Sequence, residues 1–145
     1  MHSLRKISRP IVFVPMAADI LHHGHINILL KSNKYGNIVV GLMTDKGIIK
    51  YKKKKPLITY INRKKMLEQI KLIKKIIPLN GLKYVEYANF YKFEYFAHGD
   101  DWKKNVQSKT RKKLIKAMKK WNGRVLEFPY TKNISSSLVK KKLKR

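Results

Sequence analysis

The sequence contains no cysteine, and only eight of its 145 residues are acidic. Without cysteine there can be no disulfide bond, no thiolate metal ligand and no thiol nucleophile. The chain also has no stretch approaching the roughly 18 consecutive apolar residues that cross a bilayer. We therefore expect a cytoplasmic protein without a membrane span.

Basic residues are abundant and give a formal net charge of +27. Such a charge suits nucleic acid, an anionic membrane surface or a polyanionic substrate as partner. However, 29 of the 35 basic residues are lysine, spread over the whole chain, and dispersed lysine is typical of a solvated surface. Nucleic-acid binders more often use arginine. Charge alone therefore leaves the function open, and nucleic acid is not the expected partner.

Apolar runs alternate with segments of helical periodicity, and 43% of the residues are hydrophobic. We predict strands at Ile11–Val14, Asn37–Met43, Lys75–Ile77, Phe93–Ala97 and Arg124–Phe128. Strands that alternate with helices indicate an α/β fold, an open parallel sheet with helices on both faces. The length favours a single domain over residues 1–145.

Four helices are predicted between and after these strands. The first helix has Ile26, Leu29 and Leu30 on one face and Gly36 at its C-terminus, and the second has Thr59 as N-cap and Met66, Leu67, Ile70 and Ile73 at helical spacing. The third helix carries Val106, Thr110, Leu114, Met118 and Trp121. The last helix begins near Ser135 and carries Leu138, Val139 and Leu143.

Three of the five histidines lie in His22-His23-Gly24-His25, directly after the first predicted strand. Imidazoles three residues apart at a helix start project to one side, and helix N-termini attract anions. A metal site would need further ligands, and only scattered aspartates are near. We therefore favour polyphosphate binding over a metal site here.

Three further segments fall in loops expected at the carboxyl ends of strands, where open α/β sheets bind ligands. Pro129–Ser137 offers hydroxyls and free amides at a helix start; His98–Trp102 holds two of the four aspartates beside a tryptophan; Lys50–Pro56 is a basic loop. Each segment also has an ordinary structural explanation, as an N-cap, a turn or a solvated surface.

Taken together, these four segments resemble the cytidylyltransferase family of nucleotidyltransferases. His22–His25 resembles its HxGH signature, Tyr130–Ser137 its R-T-E-G-I-S-T-T segment, and Gly99–Trp102 the G-D-D-W of glycerol-3-phosphate cytidylyltransferases. The cytidylyltransferase domains that accompany phosphoenolpyruvate mutases are more similar still, because Tyr51-Lys52 and His98–Trp102 resemble their segments. Tyr130 stands where the family has a phosphate-binding arginine, and Asn133 where it has glycine.

The resemblance implies a Rossmann-like fold of nucleotidyltransferase type and a set of site residues. His22, His25 and Lys52 would be catalytic, acting on the triphosphate and its α-phosphorus. The implied nucleotide-binding residues are Ala17, Ala18, His22, Gly24, His25, Asp100, Thr131, Ile134, Ser135, Ser136 and Ser137. The implied substrate-binding residues are Lys52, Arg63 and Trp102. No protein-bound metal is implied.

The reaction implied by this resemblance is CMP transfer from CTP, with Mg²⁺, to a small phosphate or phosphonate acceptor, with release of pyrophosphate. Glycerol 3-phosphate, 2-aminoethylphosphonate and 2-hydroxyethylphosphonate are the acceptor types considered. Two alternatives stay open: an adenylyltransferase using ATP, because Ile134–Lys140 also resembles the I-S-S-T-x-V-R of ATP-using relatives, and a basic nucleic-acid-binding module. Relatives are often dimers, so a homodimer is one expected state.

Overall fold

The computed structural model describes residues 2–104 and 107–144 and shows five parallel strands in the order β3-β2-β1-β4-β5. Val106, predicted to lie on a helical face, is outside the described residues. The first two strands are almost wholly buried, as in parallel sheets covered on both sides. The strands are β1 (Ile11–Met16), β2 (Asn37–Met43), β3 (Ile73–Leu79), β4 (Tyr95–Gly99) and β5 (Arg124–Phe128).

In the part of the chain that the structure describes, six α-helices connect and follow the strands, and 3-10 turns occupy Asp100–Lys103 and Lys119–Trp121. The helices are α1 (His23–Ser32), α2 (Asp45–Lys52), α3 (Tyr60–Leu67), α4 (Tyr84–Tyr91), α5 (Ser108–Met118) and α6 (Ser136–Leu143). One core cluster joins the sheet to α2, α4 and α5 through side chains such as Ile48, Tyr87 and Leu114. A second cluster includes Leu29 of α1 and Leu67 of α3. The predicted α/β sheet with helices on both faces is confirmed.

The apolar run from Met66 to Ile73, predicted as one helix, is divided between two elements. Helix α3 ends at Leu67, and Ile73 instead begins β3, where it pairs with Ile38 of β2. Strand pairing here overrides the helical spacing of the side chains. Thr59 is the N-cap residue as predicted, although its side chain makes no capping hydrogen bond.

Gly36 does not end the first helix, contrary to the prediction. Helix α1 ends at Ser32 with Asn33 as its C-cap. A Cβ atom on Gly36 would lie 2.5 Å from the carbonyl oxygen of Pro10, so the chain needs glycine for this close approach. The glycine therefore serves the entry into β2.

The functional cleft follows from the strand order. After β1 the chain moves to β2 on one side, and β4 lies on the other side of β1. Such a reversal opens a crevice at the carboxyl ends of the strands, where doubly wound sheets bind ligands. Within residues 2–104 and 107–144, no helix has the length and apolar character needed to cross a membrane.

Candidate active site

A cleft of about 290 Å³ opens at the carboxyl ends of β1 and β4. It brings together most of the site residues predicted from the sequence, although they come from segments more than 100 residues apart. The predicted residues that line it are Ala17, Ala18, His22, Gly24, His25, Lys52, Thr131, Ile134, Ser135, Ser136 and Ser137.

Two histidines cap the N-terminus of α1 in a reciprocal arrangement. Nδ1 of His22 accepts a hydrogen bond from the Gly24 amide at 3.1 Å, and Nδ1 of His25 accepts one from the His22 amide at 3.2 Å. Because both Nδ1 atoms are acceptors, each neutral ring carries its proton on Nε2. The two ring centroids lie 4.1 Å apart. This arrangement leaves two Nε2–H donors for the oxygens of an anion.

Burial keeps both imidazoles neutral. Burial and the nearby charge of His23 lower the pKa of His22. Burial, followed by the charge of His22, lowers the pKa of His25 to about 4. The capping bonds also require an unprotonated Nδ1 in each ring, so the lowered pKa values and the hydrogen bonds both indicate neutral imidazoles.

Gly24 makes room for the His22 ring. A Cβ atom at this position would lie 2.8 Å from Cε1 and 2.9 Å from Nδ1 of His22. A larger residue at position 24 would therefore push the imidazole of His22 away and break its hydrogen bond with the amide of that residue.

The start of α6 forms the adjoining wall and is tied to α1. Ser135 caps α6 by accepting from the Leu138 amide at 3.0 Å, and the Ser136 hydroxyl donates to the Ile20 carbonyl at 2.8 Å. Thr131 Oγ1 accepts from the side chain of Asn27 on α1 at 3.2 Å. Two helix N-termini thus meet at one cleft, an arrangement that favours anions.

Asn133 adopts a left-handed backbone conformation with φ of 64°. Asparagine tolerates this conformation better than most residues, which explains how it replaces the glycine found in similar sequences.

Lys52, the last residue of α2, lies beside a buried ion pair that the sequence analysis missed. Burial and the nearby charge of Lys140 lower the pKa of Lys52. Asp19 is 2% exposed, is paired with Lys140, and accepts from the amides of Leu57 at 3.0 Å and Ile58 at 2.9 Å. The sequence did contain a sign of this role, because Asp19 is the one acidic residue between β1 and His22 in a chain with few acidic residues.

Arg63 is not among the residues that line the cleft, although it was predicted to bind the phosphate of the acceptor or the phosphates of the nucleotide. It is 0% exposed, and Nη1 donates to the carbonyls of Ala17 at 2.8 Å and Met43 at 2.7 Å. Nη2 pairs with Asp45 at 2.7 Å, and Nε donates to the Ile58 carbonyl at 2.9 Å. These contacts make Arg63 a support that fixes the carboxyl ends of β1 and β2.

Trp102, also predicted to contact substrate, is fully buried behind the cleft. Its ring stacks on His98 with centroids 3.9 Å apart, and its Nε1 donates to Glu127 at 2.8 Å. His98 itself lines the cleft, and burial lowers its pKa. Trp102 therefore positions the His98 ring.

Asp100 lies at the rim, where its Oδ1 accepts from the Tyr130 amide at 3.1 Å, and its neighbour Asp101 lines the cleft. The predicted nucleotide contact at Asp100 stays a prediction. The lining also includes residues to which the sequence assigned no site role, such as Tyr51, Tyr84 and Gln107. Among them, Tyr84 carried a signal, because Tyr84, Tyr87, Ala88 and Tyr91 follow helical spacing.

The chain that forms this cleft is similar in sequence to known proteins. The sequence profile described as cytidylyltransferase-like matches residues 17–142. Glycerol-3-phosphate cytidylyltransferase from Bacillus spizizenii is 30% identical over 125 residues, which cover 85% of this chain and 88% of that enzyme. Ethanolamine-phosphate cytidylyltransferase from Mus musculus is 28% identical over 123 residues, covering 82% of this chain and 29% of that protein.

Among solved structures, the lipopolysaccharide core biosynthesis protein from Thermoplasma volcanium superposes with a TM-score of 0.68 at 21% identity. The match covers 83% of this chain and 97% of that one. At this identity the likeness supports the fold alone.

Proposed function

The chain belongs to the cytidylyltransferase-like family, and on this premise we propose that it transfers CMP from CTP to glycerol 3-phosphate or a similar small acceptor. The family predicted from the sequence is thus confirmed, and CMP transfer to a phosphate acceptor follows from it. Two phosphonates, 2-aminoethylphosphonate and 2-hydroxyethylphosphonate, belong to the same chemical class of acceptor because each presents a dianionic phosphorus group.

One observation supports this function most strongly: His22 and His25, whose Nδ1 atoms accept and whose Nε2 atoms therefore carry the protons, line one cleft together with the start of α6. His22 and His25 are positioned to donate to oxygens around the α-phosphorus. The start of α6, with Ser135–Ser137, offers amides and hydroxyls to the β- and γ-phosphates. Lys52 adds a positive charge at the same cleft.

In the proposed reaction an oxygen of the acceptor's phosphate attacks the α-phosphorus of CTP. The bond from that phosphorus to the oxygen bridging it to the β-phosphorus breaks, and its electron pair leaves with pyrophosphate. The nucleophile is already an anion near neutral pH, so no general base is needed. The protein contributes in-line positioning and stabilisation of the charge that develops on the phosphoryl oxygens.

Mg²⁺ enters this proposal only as a companion of CTP. No group of three His, Asp or Glu side chains that could hold a metal ion occurs among residues 2–104 and 107–144. The buried carboxylate in the loop between β1 and the histidines, Asp19, is engaged by Lys140 and two amides. The ion would therefore be held by phosphate oxygens and water, and we assign no step to it.

The test is pyrophosphate release from CTP, Mg²⁺ and each acceptor. Replacing His22 or His25 by alanine should lower kcat by about 10²- to 10³-fold, as expected for loss of a donor to the transition state. Lys53→Ala and Lys54→Ala, which alter exposed lysines, are the matched controls and should change kcat less than twofold. Equal losses in all four variants would contradict the assigned roles.

The choice of nucleotide is tested separately. CTP should raise the melting temperature more than ATP does. A larger shift with ATP would favour adenylyl transfer, and submicromolar, salt-dependent RNA binding without any effect of CTP would favour the nucleic-acid alternative.

A further inference from the structure

The wall of the cleft opposite the histidines is built from three elements that the proposed chemistry does not use. Tyr51 lies near the end of α2, Tyr84 begins α4, and Gln107 precedes α5. These three helices pack on one face of the sheet, whereas α1, which carries His25, packs on the other. The cleft therefore has two walls of different origin.

An in-line displacement at the α-phosphorus of CTP would place the triphosphate and the acceptor against different walls of the cleft. The leaving pyrophosphate and the incoming oxygen must lie on opposite sides of the α-phosphorus. If α1 and α6 hold the triphosphate, the acceptor approaches from the side of Tyr51 and Gln107. Lys52, the neighbour of Tyr51 in the chain, can then meet the acceptor's phosphate, while the organic end points toward this second wall.

The second wall presents uncharged hydrogen-bonding groups. Gln107 is 7% exposed, and its Nε2 donates to the Tyr51 hydroxyl at 2.8 Å. Because that oxygen already accepts a hydrogen bond, the Tyr51 O–H is oriented to act as a donor. A donor of this kind complements a hydroxyl oxygen and offers nothing to an ammonium group, which has no acceptor.

Within the described lining, the cleft offers an ammonium group one carboxylate and no open face of the Tyr84 ring. Tyr84 is 3% exposed, and its ring packs against Phe96 at 5.0 Å and Trp102 at 6.2 Å, so its face is not open for a cation. Within the described lining, Asp101 is the sole carboxylate; it is half-exposed and lies 4.0 Å from His98. Lys52 adds a positive charge on the same side.

We propose that Tyr51, held by Gln107, forms an acceptor subsite that selects a neutral, hydroxylated organic group over an ammonium group. This inference rests on the proposed function and narrows its substrate class. Glycerol 3-phosphate fits such a site, whereas phosphoethanolamine does not.

The first experiment compares kcat/KM for three acceptors at saturating CTP: glycerol 3-phosphate, phosphoethanolamine, and propyl phosphate, which has neither hydroxyl nor amine. We expect glycerol 3-phosphate to exceed each of the others at least tenfold. Phosphoethanolamine equal to or better than glycerol 3-phosphate would overturn the selectivity while leaving CMP transfer intact. Pyrophosphate release with none of the acceptors would overturn the proposed function, and this inference with it.

The second experiment identifies the residues responsible. Tyr51→Phe keeps the ring and removes one donor, so kcat/KM for glycerol 3-phosphate should fall about three- to tenfold, the range for one neutral hydrogen bond. The value for propyl phosphate and the KM for CTP should stay within twofold. Tyr35→Phe, on a partly exposed ring outside the cleft lining, is the matched control and should change none of these values.

Gln107→Glu provides a gain-of-function arm, because it places a carboxylate beside Tyr51 with almost no change in shape. The ratio of kcat/KM for phosphoethanolamine to that for glycerol 3-phosphate should rise at least tenfold. An unchanged ratio in this variant, or an equal loss for all acceptors in Tyr51→Phe, would overturn the assignment of these residues to the acceptor.

Discussion

At the N-terminus of α1, His22 occupies the N-cap, where helices usually have serine, threonine or aspartate, and His25 occupies the N3 position, where a capping box usually has glutamate or glutamine. Capping by His22 and His25 depends on an unprotonated Nδ1 in each ring. Protonation would add a hydrogen where each ring now accepts one. The start of α1 is therefore sensitive to pH, and so is the geometry of the donors that face the phosphates.

We predict that stability falls as the pH is lowered from 7 to 5. In the unfolded chain a histidine titrates near its ordinary pKa of 6.5, whereas burial lowers the pKa of His25 to about 4 in the fold. Between these values the unfolded state binds the additional proton, so the free energy of unfolding decreases with decreasing pH. His25 alone should account for about 2 kcal/mol of this loss, which urea denaturation at the two pH values measures.

His25→Asn separates this effect from other titrations. Asparagine retains an acceptor oxygen for the His22 amide and does not titrate, so the pH dependence should become shallower by most of the stated amount. His2→Asn, at an exposed position near the N-terminus, is the control and should retain the original slope. Identical slopes in the wild type and His25→Asn would contradict the prediction.

Individual residues also show how far the sequence could predict the site. His22, His25 and Ser135–Ser137 were placed correctly in one cleft because each follows a strand that ends at the same edge of the sheet. The position of Arg63 was predicted incorrectly because a guanidinium can donate hydrogen bonds equally well to a phosphate and to buried carbonyls. Only the approach of Ala17 and Met43 in three dimensions decides between those two roles.

Among the structural elements, the segment before α3 is joined to the cleft by Asp19, in addition to the bond from Arg63 to the Ile58 carbonyl. Burial alone would raise the pKa of this carboxyl, but Lys140 and the amides of Leu57 and Ile58 together lower it. One carboxylate thus joins the loop after β1, the segment after α2, and α6. These are the parts that carry His22, Lys52 and the proposed triphosphate contacts.

Asp19→Asn should loosen this junction. The amide retains a single acceptor oxygen and turns an NH₂ group toward one of the former donors, so about 1–3 kcal/mol of stability should be lost. Amide hydrogen exchange at Leu57 and Ile58 should become faster, and mass spectrometry can measure it. Glu68→Gln, which removes only an exposed 3.9 Å pair with Lys64, should change stability by less than about 0.5 kcal/mol. Unchanged exchange in Asp19→Asn would show that other contacts hold this segment.

The elements themselves were predictable to differing degrees. β2 and β5 have the predicted bounds, because compact apolar runs flanked by polar residues have few alternatives. Helix α4 was missed although its buried residues Tyr84, Tyr87, Ala88 and Tyr91 have helical spacing. Tyrosines are common in strands, so composition obscured the period. The Met66–Ile73 run shows the opposite error. Its helical spacing predicted one helix, but the last residue of the run begins strand β3.

For the whole molecule, the alternation of strands and helices was sufficient to predict a parallel sheet with two covered faces. The sequence did not reveal a role for the charge of +27. For the proposed reaction we expect one, because Lys52 and two helix N-termini line the cleft of a strongly basic protein. CTP carries several negative charges, so the positive field of the protein should accelerate its encounter with the cleft.

The same charge should oppose folding and assist catalysis, and added salt separates these effects. The Debye length falls from about 10 Å at 0.1 M to about 3 Å at 1 M ionic strength. Raising KCl from 0.05 to 0.5 M should therefore lower kcat/KM for CTP about tenfold by screening attraction, with kcat changed less than twofold. The free energy of unfolding should increase over the same range because repulsion among lysines is screened. Glycine betaine at matched osmolality leaves charges unscreened and should not lower kcat/KM for CTP, although as an excluded osmolyte it stabilises the fold in its own way. A kcat/KM that is insensitive to KCl would mean that the lysines do not guide the nucleotide, and that their charge has no part in the reaction.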